Sequence, residues 1–250
     1  MPIAEEITST APRSLRRRLL RQEWRDVSMV HWPADPEAVA RLVPPGTVPD
    51  RLHGTTYVGL IGFRMYGLGL GVGPAIPYLG TFLETNVRLY TVDVAGRRGV
   101  YFCSLDAERL PAVIGARVGV RLPYMWSRMR LDRSADVLSY TCRRRWPGPA
   151  ARSTMRVRVG AEIDEASELD AFLTARWGLH TQWYGRTIYL PNVHETWPLH
   201  RAELVERDDP VDGGLLAAAG FRVDGAPVST LYASQVRVAF GPATVVDGRA

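Results

Sequence analysis

The sequence has 250 residues, of which 46% are hydrophobic, enough to bury the core of one large domain or two small ones. Its formal net charge of +5 comes from 31 arginines against 26 acidic residues, and it contains no lysine. Because an imine forms on a primary amine, this composition excludes an enzyme that works through a lysine Schiff base.

Cysteine usage and the length of the apolar runs indicate the cellular compartment. Cys103 and Cys142 form no disulfide framework, which predicts a reducing environment. No run of about 18 apolar residues predicts a membrane span, and the first residues lack the charged-then-apolar order of a signal peptide. We therefore expect a cytoplasmic protein without a membrane association.

In chain order, the pattern predicts a flexible tail over residues 1–12 and then a single domain over 13–250. Helical spacing and capping residues predict helices over 14–24, 35–43, 108–118 and 167–177. Alternating and β-branched runs predict strands over 27–32, 55–66, 81–94, 100–105, 121–131, 137–146, 154–160, 186–190, 197–205 and 230–240. Many strands with few helices indicate an α+β protein, in which an antiparallel, mostly-β, barrel-like sheet encloses a cavity and carries a few peripheral helices.

The most informative segment is the predicted strand at residues 82–90, where polar and apolar side chains alternate. Its polar face carries, in order, Glu84, Asn86, Arg88 and Tyr90. One interpretation places this face in water, and the other places it inside a barrel. In the second interpretation Arg88 binds a substrate carboxylate through two hydrogen bonds, and Glu84 acts as an acid or base.

Several stretches between about residues 24 and 240 resemble the YqjF-like family, a domain of unknown function in the acetoacetate-decarboxylase-like superfamily. They are His31-Trp32-Pro33, Leu42-Val43-Pro44-Pro45-Gly46, the run 57–65, Glu84-x-Asn86-x-Arg88-x-Tyr90, the run 100–107 and Trp197-Pro198-Leu199-His200. The resemblance implies a barrel-like α+β fold with a buried cavity.

The same resemblance implies where a site would lie. Glu84 matches a cavity glutamate of the decarboxylase, and Tyr124 and Met125 stand where that enzyme has a lysine pair. The glutamate is thus kept and the imine-forming amine is lost. The catalytic candidates are Glu84, Arg88 and Tyr124. The ligand-binding candidates are Asn86, Tyr90, Arg64, Arg117, Met125 and His200.

Other patterns in the sequence give weaker indications of function. His194 and His200 lie near Glu195, but no His-Glu-x-x-His motif is present, and we expect neither a metal nor another cofactor. The glycines of residues 67–77 do not match a nucleotide-binding loop and predict a mobile loop, which beside a cavity would suit a lid. Arginines cluster near residues 13–25 and 143–158. We interpret them as solvated faces and expect no nucleic acid partner, since no nucleic-acid motif accompanies them.

Three hypotheses follow for the function. The first is an enzyme acting on a small organic acid or carbonyl compound by acid/base chemistry, in a dehydration, isomerisation, cyclisation or enolisation. The second is a non-catalytic binding protein for a small acidic ligand. The third is an arginine-rich interaction protein, which would show steep salt dependence. The sequence leaves the substrate and homo-oligomer formation open.

Overall fold

One continuous sheet of thirteen strands dominates the computed structural model, which describes residues 3–246. In chain order the strands are β1 (Leu20–Ala34), β2 (Thr47–Pro49), β3 (Thr56–Leu70), β4 (Phe82–Asp93), β5 (Arg98–Ala107), β6 (Tyr124–Ser134), β7 (Val137–Trp146), β8 (Arg152–Glu162), β9 (Gly178–Trp183), β10 (Arg186–His194), β11 (Leu199–Asp208), β12 (Ser229–Phe240) and β13 (Thr244–Val245). Short helices connect some of them: α1 (Pro36–Ala40), α2 (Leu110–Gly119), α3 (Glu168–Thr174) and α4 (Leu215–Ala218). Within residues 3–246, no helix has the length and apolar character needed to cross a membrane.

The sheet closes on itself in two ways, and the two closed sets of strands have five strands in common. Strands β5, β6, β7, β8, β11, β12, β1, β3 and β4 are hydrogen-bonded in that order, and pairing of β4 with β5 closes them into a nine-stranded barrel. Strand β9 pairs with β5 and β10, and β10 also pairs with β12. Strands β9 and β10 therefore complete a second, seven-stranded closure with β12, β1, β3, β4 and β5.

The prediction of a mostly-β, barrel-like α+β fold is confirmed, but the prediction of a purely antiparallel sheet is wrong. Strand β5 runs parallel to both β6 and β9. Parallel neighbours need a crossover connection, and α2 carries the chain from the end of β5 to the start of β6. The sheet is therefore mixed.

Strand β4 lies in the shared wall and has two buried faces. Val87 and Leu89 pack into the nine-stranded barrel with buried residues that include Leu138 and Met155. Strand alternation turns the polar row that begins at Glu84 to the opposite side, into the seven-stranded closure. The polar row is thus held inside the protein by the apolar packing behind it.

The predicted helix at residues 14–24 is wrong, because its second half belongs to strand β1. From Leu20 onward the segment pairs along both edges, with β12 and with β3. Hydrogen bonds to two neighbouring strands outweigh the weak helical preference of the leucine and arginine spacing. This placement brings Gln22 and Trp24 into the wall of the cavity described below.

Residues 3–12, expected to be part of a flexible tail, contact the sheet at specific points. The Arg98 backbone N–H donates to the Glu5 carboxylate at 3.0 Å, and the Trp177 indole donates to the Thr8 carbonyl at 3.2 Å. Residues 1 and 2 of that predicted tail lie outside the described part of the chain. The described part of the tail follows a defined path over the strands.

Residues 68–77 of the predicted loop belong to a folded segment, residues 68–80, which we call the flap. Strand β3 continues to Leu70, and the Leu68 N–H then donates to the Gly80 carbonyl at 3.0 Å. The Ile76 N–H donates to the Leu68 carbonyl at 2.8 Å. These bonds fold the flap back on itself over the open edge of the cavity.

Several arginines of the second cluster form ion pairs with nearby carboxylates. Arg156 pairs with Glu206 at 2.8 Å and Arg158 with Glu203 at 2.7 Å, both across the β8–β11 ladder. Arg144 is buried instead of solvated, which corrects the interpretation of this residue as part of an exposed face. Arg143 and Arg145 of the same cluster are exposed and form no ion pair within residues 3–246.

Candidate functional site

A cavity of about 480 Å3 lies inside the seven-stranded closure. Each of its seven strands contributes at least one lining residue, and α2 and the flap complete the wall. Most of the lining is aliphatic or aromatic. The lining residues that carry an amide, carboxyl, guanidinium or hydroxyl group are Gln22, Glu84, Asn86, Arg88 and Tyr124. A mostly apolar hollow with a few converging polar groups is typical of a small-molecule site.

Glu84 is the one carboxyl group in the cavity wall, and it is 2% exposed. The Tyr124 hydroxyl donates to its Oε2 at 2.8 Å, and Asn86 Nδ2 donates to its Oε1 at 3.2 Å. Burial raises the pKa of Glu84 to about 7, although both hydrogen bonds act to lower it. Near neutral pH the carboxyl group therefore populates both protonation states, which suits an acid or a base.

Arg88 is 8% exposed and forms no ion pair with any carboxylate in residues 3–246. Its Nε donates to the Tyr90 hydroxyl at 3.1 Å, and its Nη2 donates to the Leu173 carbonyl at 3.1 Å. Its Nη2 also lies 3.8 Å from the Met29 sulfur. Nη1 has no hydrogen-bond partner within these residues, so this edge of the guanidinium is free to bind an anion in the cavity.

Tyr90 is fully buried behind Arg88 and does not line the cavity. Its hydroxyl lies 2.7 Å from His31 Nε2. Burial, reinforced by the charges of Arg88 and Arg176, holds the pKa of His31 well below its usual range, so the ring is neutral and can accept from the hydroxyl. Tyr90 thus holds the guanidinium of Arg88 through its hydroxyl group.

Two further polar atoms in the wall lack partners in the described structure. Asn86 Oδ1 and Trp24 Nε1 are buried and make no hydrogen bond, and both residues line the cavity. One is an acceptor and the other a donor. Since buried polar atoms are nearly always paired, these two atoms are available to a bound molecule.

Of the remaining predicted site residues, Arg117 and Met125 lie beside Tyr124 but outside the cavity wall. Arg117 Nη1 donates to the Tyr124 carbonyl at 2.7 Å and lies 4.0 Å from the Met125 sulfur. Arg117 therefore holds the backbone that carries Tyr124. Neither Arg117 nor Met125 is among the residues that line the cavity.

Arg64 and His200, which the sequence predicts as ligand-binding residues, do not line the cavity. On β3 the neighbours of Arg64, Phe63 and Met65, both line the cavity, so alternation turns Arg64 to the opposite face. His200 lies on β11, where its Nδ1 is 3.3 Å from the carbonyl oxygen of Gly160 on β8. Within residues 3–246 the titratable side chains form no group of three or more that could hold a metal ion.

Several lining residues had no counterpart among the sequence candidates. Trp24 packs against Phe63 and Trp197, with ring centroids 5.5 Å and 5.9 Å apart, and all three line the cavity. Helix α2 contributes a face of small residues. They are Ala112, Gly115, Ala116 and Gly119. Their spacing of three and four residues is a signal for one helical face that the sequence did contain.

Solved structures of acetoacetate-decarboxylase-like proteins share this fold. A structure of the enduracididine biosynthesis enzyme MppR complexed with pyruvate matches with a TM-score of 0.65 and 14% identity, covering 94% of this chain and 93% of that one. An acetoacetate-decarboxylase-like enzyme from Sphingomonas wittichii RW1 matches with a TM-score of 0.63 and 15% identity, covering 98% of each chain. An acetoacetate decarboxylase structure gives 0.60 and 16%, covering 93% of this chain and 91% of that one. At these identities the likeness shows the fold.

The sequence comparisons identify the family. The uncharacterized protein YqjF of Bacillus subtilis (strain 168) is 33% identical over 186 residues, which is 74% of this chain and 76% of the relative. The model of the DUF2071 family, described as an uncharacterized conserved protein (COG2071), matches residues 21–237. Since that match spans most of the sequence, the chain belongs to the DUF2071 family.

Proposed function

We propose that this protein is an enzyme that binds a small organic acid or carbonyl compound in the cavity and moves a proton with Glu84. The observation that carries the proposal is the guanidinium of Arg88, buried without a carboxylate partner in the same cavity as a carboxyl group whose pKa lies near 7. The pyruvate in the MppR structure supports a small acid as ligand for this fold.

The charge of Arg88 argues for an anionic ligand. A buried ion costs several kcal/mol unless a partner compensates it, and the three hydrogen-bonding contacts of Arg88 are all to neutral groups. A bound carboxylate would complete this environment with a charge-assisted pair. At pH values below about 7 Glu84 is mostly protonated and adds no opposing negative charge to the cavity.

The spacing along β4 sets the distance between Arg88, the proposed carboxylate-binding residue, and Glu84, the proposed proton carrier. The Cα atoms of Glu84 and Arg88 lie roughly 13 Å apart, four residues along an extended strand, and both side chains reach into the same space. A substrate carboxylate held by Arg88 thus leaves the rest of the molecule beside Glu84. Asn86 lies between them with its unpaired Oδ1.

The proposed reaction begins at a carbon next to a carbonyl group. Its C–H bond breaks, the proton passes to a Glu84 oxygen, and the electron pair moves to the carbonyl oxygen as an enolate. A hydrogen bond from the Tyr124 hydroxyl, released from Glu84 as that group gains its proton, would stabilise the enolate oxygen. Dehydration, isomerisation, cyclisation and enolisation can all start from this step, and with no lysine in the sequence none of them runs through a lysine imine.

The test is hydrogen–deuterium exchange next to the carbonyl of a panel of 2-oxo and 3-oxo acids, followed by proton NMR in D2O. We expect the wild type to accelerate exchange for at least one acid. Glu84→Gln should lower that rate by about 10²–10⁴-fold while the acid still raises the melting temperature. Glu168→Gln, at an exposed position away from the cavity, is the matched control. Full exchange activity in Glu84→Gln would exclude Glu84 as the proton carrier.

A non-catalytic binding protein for a small acidic ligand is the second candidate, because Arg88 alone suffices to hold a carboxylate. Its signature is an acid that stabilises the wild type through Arg88 but shows neither exchange nor conversion. That result would replace the enzyme proposal with the binding proposal.

A further inference from the structure

The cavity is larger than a short keto acid requires. Its volume of about 480 Å3 gives room for roughly sixteen water-sized groups, at about 30 Å3 each. A three-carbon acid would fill less than half of that space. The remainder would hold ordered water, but its lining offers water few polar partners.

The lining changes along β4. Arg88 is buried at the end of the polar row farthest from the flap, because β4 begins at Phe82, directly after the flap, and reaches Glu84 first. The flap covers the end beyond Glu84 with aliphatic side chains. They are Leu68, Leu70, Ile76 and Leu79. A ligand that satisfies both ends has a charged head and an apolar body.

Helix α2 keeps the apolar end wide. A Cβ atom added at Gly115 or at Gly119 would meet no other atom within 4 Å, so open space lies next to both positions. Ala112 and Ala116 complete the same helical face with the smallest side chains that a helix favours. Gly115 and Gly119 are exposed, so this face and the flap line the cavity where it meets the surface.

We propose that the ligand is a carboxylic acid with an extended apolar chain or ring system, of roughly ten or more carbons. Its carboxylate binds Arg88, and its apolar body lies between α2 and the flap. The inference rests on the proposed binding of a carboxylate by Arg88, and it adds the substrate class. Lipid-like acids and aromatic acids with a long side chain share this chemistry.

The experiment titrates the full-length protein with straight-chain acids from acetate to dodecanoate by calorimetry, at micromolar concentrations for the longer members. We expect the dissociation constant to fall about fourfold for each added methylene until the cavity is full. Arg88→Met should weaken binding of every acid that binds the wild type.

Gly115→Leu tests the proposal of an apolar ligand separately from the proposed function. Its side chain would occupy the open space beside α2, and leucine favours a helix more than glycine does, so the fold is retained. Binding of short acids should stay unchanged while binding of decanoate falls at least tenfold. Val118→Leu, at an exposed position of the same helix, is the matched control and should change neither.

Distinct outcomes overturn distinct claims. If acids bind through Arg88 with an affinity independent of chain length, the proposal of an apolar ligand is wrong and the proposed function stands. If long acids bind equally well to wild type and Arg88→Met, the carboxylate is not recognised, and both proposals fail. Equal binding of decanoate by wild type and Gly115→Leu would also overturn the placement of the apolar body beside α2.

Discussion

Arg88 and Arg144 are both buried, 8% and 6% exposed, on opposite sides of the wall that β4 and β5 form. Arg144 makes two hydrogen bonds to Asp106, from Nε at 2.9 Å and from Nη2 at 2.7 Å, and Ser127 donates to the same carboxylate. Arg88 is bonded to a hydroxyl and a carbonyl and contacts a sulfur atom, without any carboxylate within residues 3–246. The charge of Arg144 is therefore compensated by a carboxylate of the protein, whereas the charge of Arg88 is not.

A third buried arginine, Arg176, has an acidic partner, as Arg144 does. Arg176 pairs with Asp50, which also accepts from Arg98. Within residues 3–246, both buried arginines other than Arg88 thus have an acidic partner. This difference supports the proposal that the unpaired charge of Arg88 serves a ligand, because a buried charge without a partner is costly to the fold.

The largest expected effect comes from unpairing the structural arginine. Asp106→Asn should lower the free energy of unfolding by about 3–5 kcal/mol, because it leaves the charge of Arg144 buried without its anion. Urea denaturation of the purified variants measures this directly.

The matched variant for that measurement is Arg88→Met. It removes a buried charge that has no carboxylate partner within residues 3–246. Its free energy of unfolding should stay within about 1 kcal/mol of the wild type or increase. Equal destabilisation by the two substitutions would erase the distinction between the two arginines.

The next effect concerns the carboxyl group that shares the cavity with Arg88. The pKa of Glu84 is about 7 in the folded protein, above its ordinary value of 4.5, so the native state favours the protonated form. Its stabilising contribution is present below about pH 4.5 and is lost as the pH rises through 7, by about 3 kcal/mol in total. Stability curves of wild type and Glu84→Gln between pH 4.5 and 8 measure the difference. A constant offset between the two curves would show that Glu84 titrates normally.

The smallest effect concerns the residue that positions Arg88. Tyr90→Phe removes the hydroxyl that lies between the Arg88 guanidinium and His31, and should cost about 1 kcal/mol of stability. It should also weaken carboxylate binding several-fold, since the guanidinium loses one of its fixed contacts. Tyr57→Phe is the control, because the Tyr57 hydroxyl makes no hydrogen bond within residues 3–246 and the ring belongs to the same core. Identical binding by the two variants would remove Tyr90 from the site.

The alternation of one strand was enough to predict which residues of β4 share a face, because side-chain direction in a strand follows from the backbone. Glu84, Asn86 and Arg88 line the cavity together for that reason. The same rule, applied to β3, would have excluded Arg64 once Phe63 was placed inside. The choice between water and a cavity for a polar face depends on what packs opposite, which local spacing does not contain.

The rest of the site depends on contacts between residues distant in the sequence. Trp24 lies in the cavity wall because β1 pairs with strands more than thirty and about two hundred residues further along the chain, and those bonds override a helical pattern. Arg144 was grouped with exposed arginines because its partner, Asp106, lies on another strand. Strand register decides both placements.

The central claim is that Arg88 is the anion-binding group of the cavity. Calorimetric titration with hexanoate and with its neutral amide at pH 6, where Glu84 is mostly protonated, tests it most directly. The wild type should prefer the acid by at least 30-fold, and Arg88→Met should bind the two compounds equally, as expected when one partner of a buried charge pair is removed. A preference for the acid that survives in Arg88→Met would contradict the account.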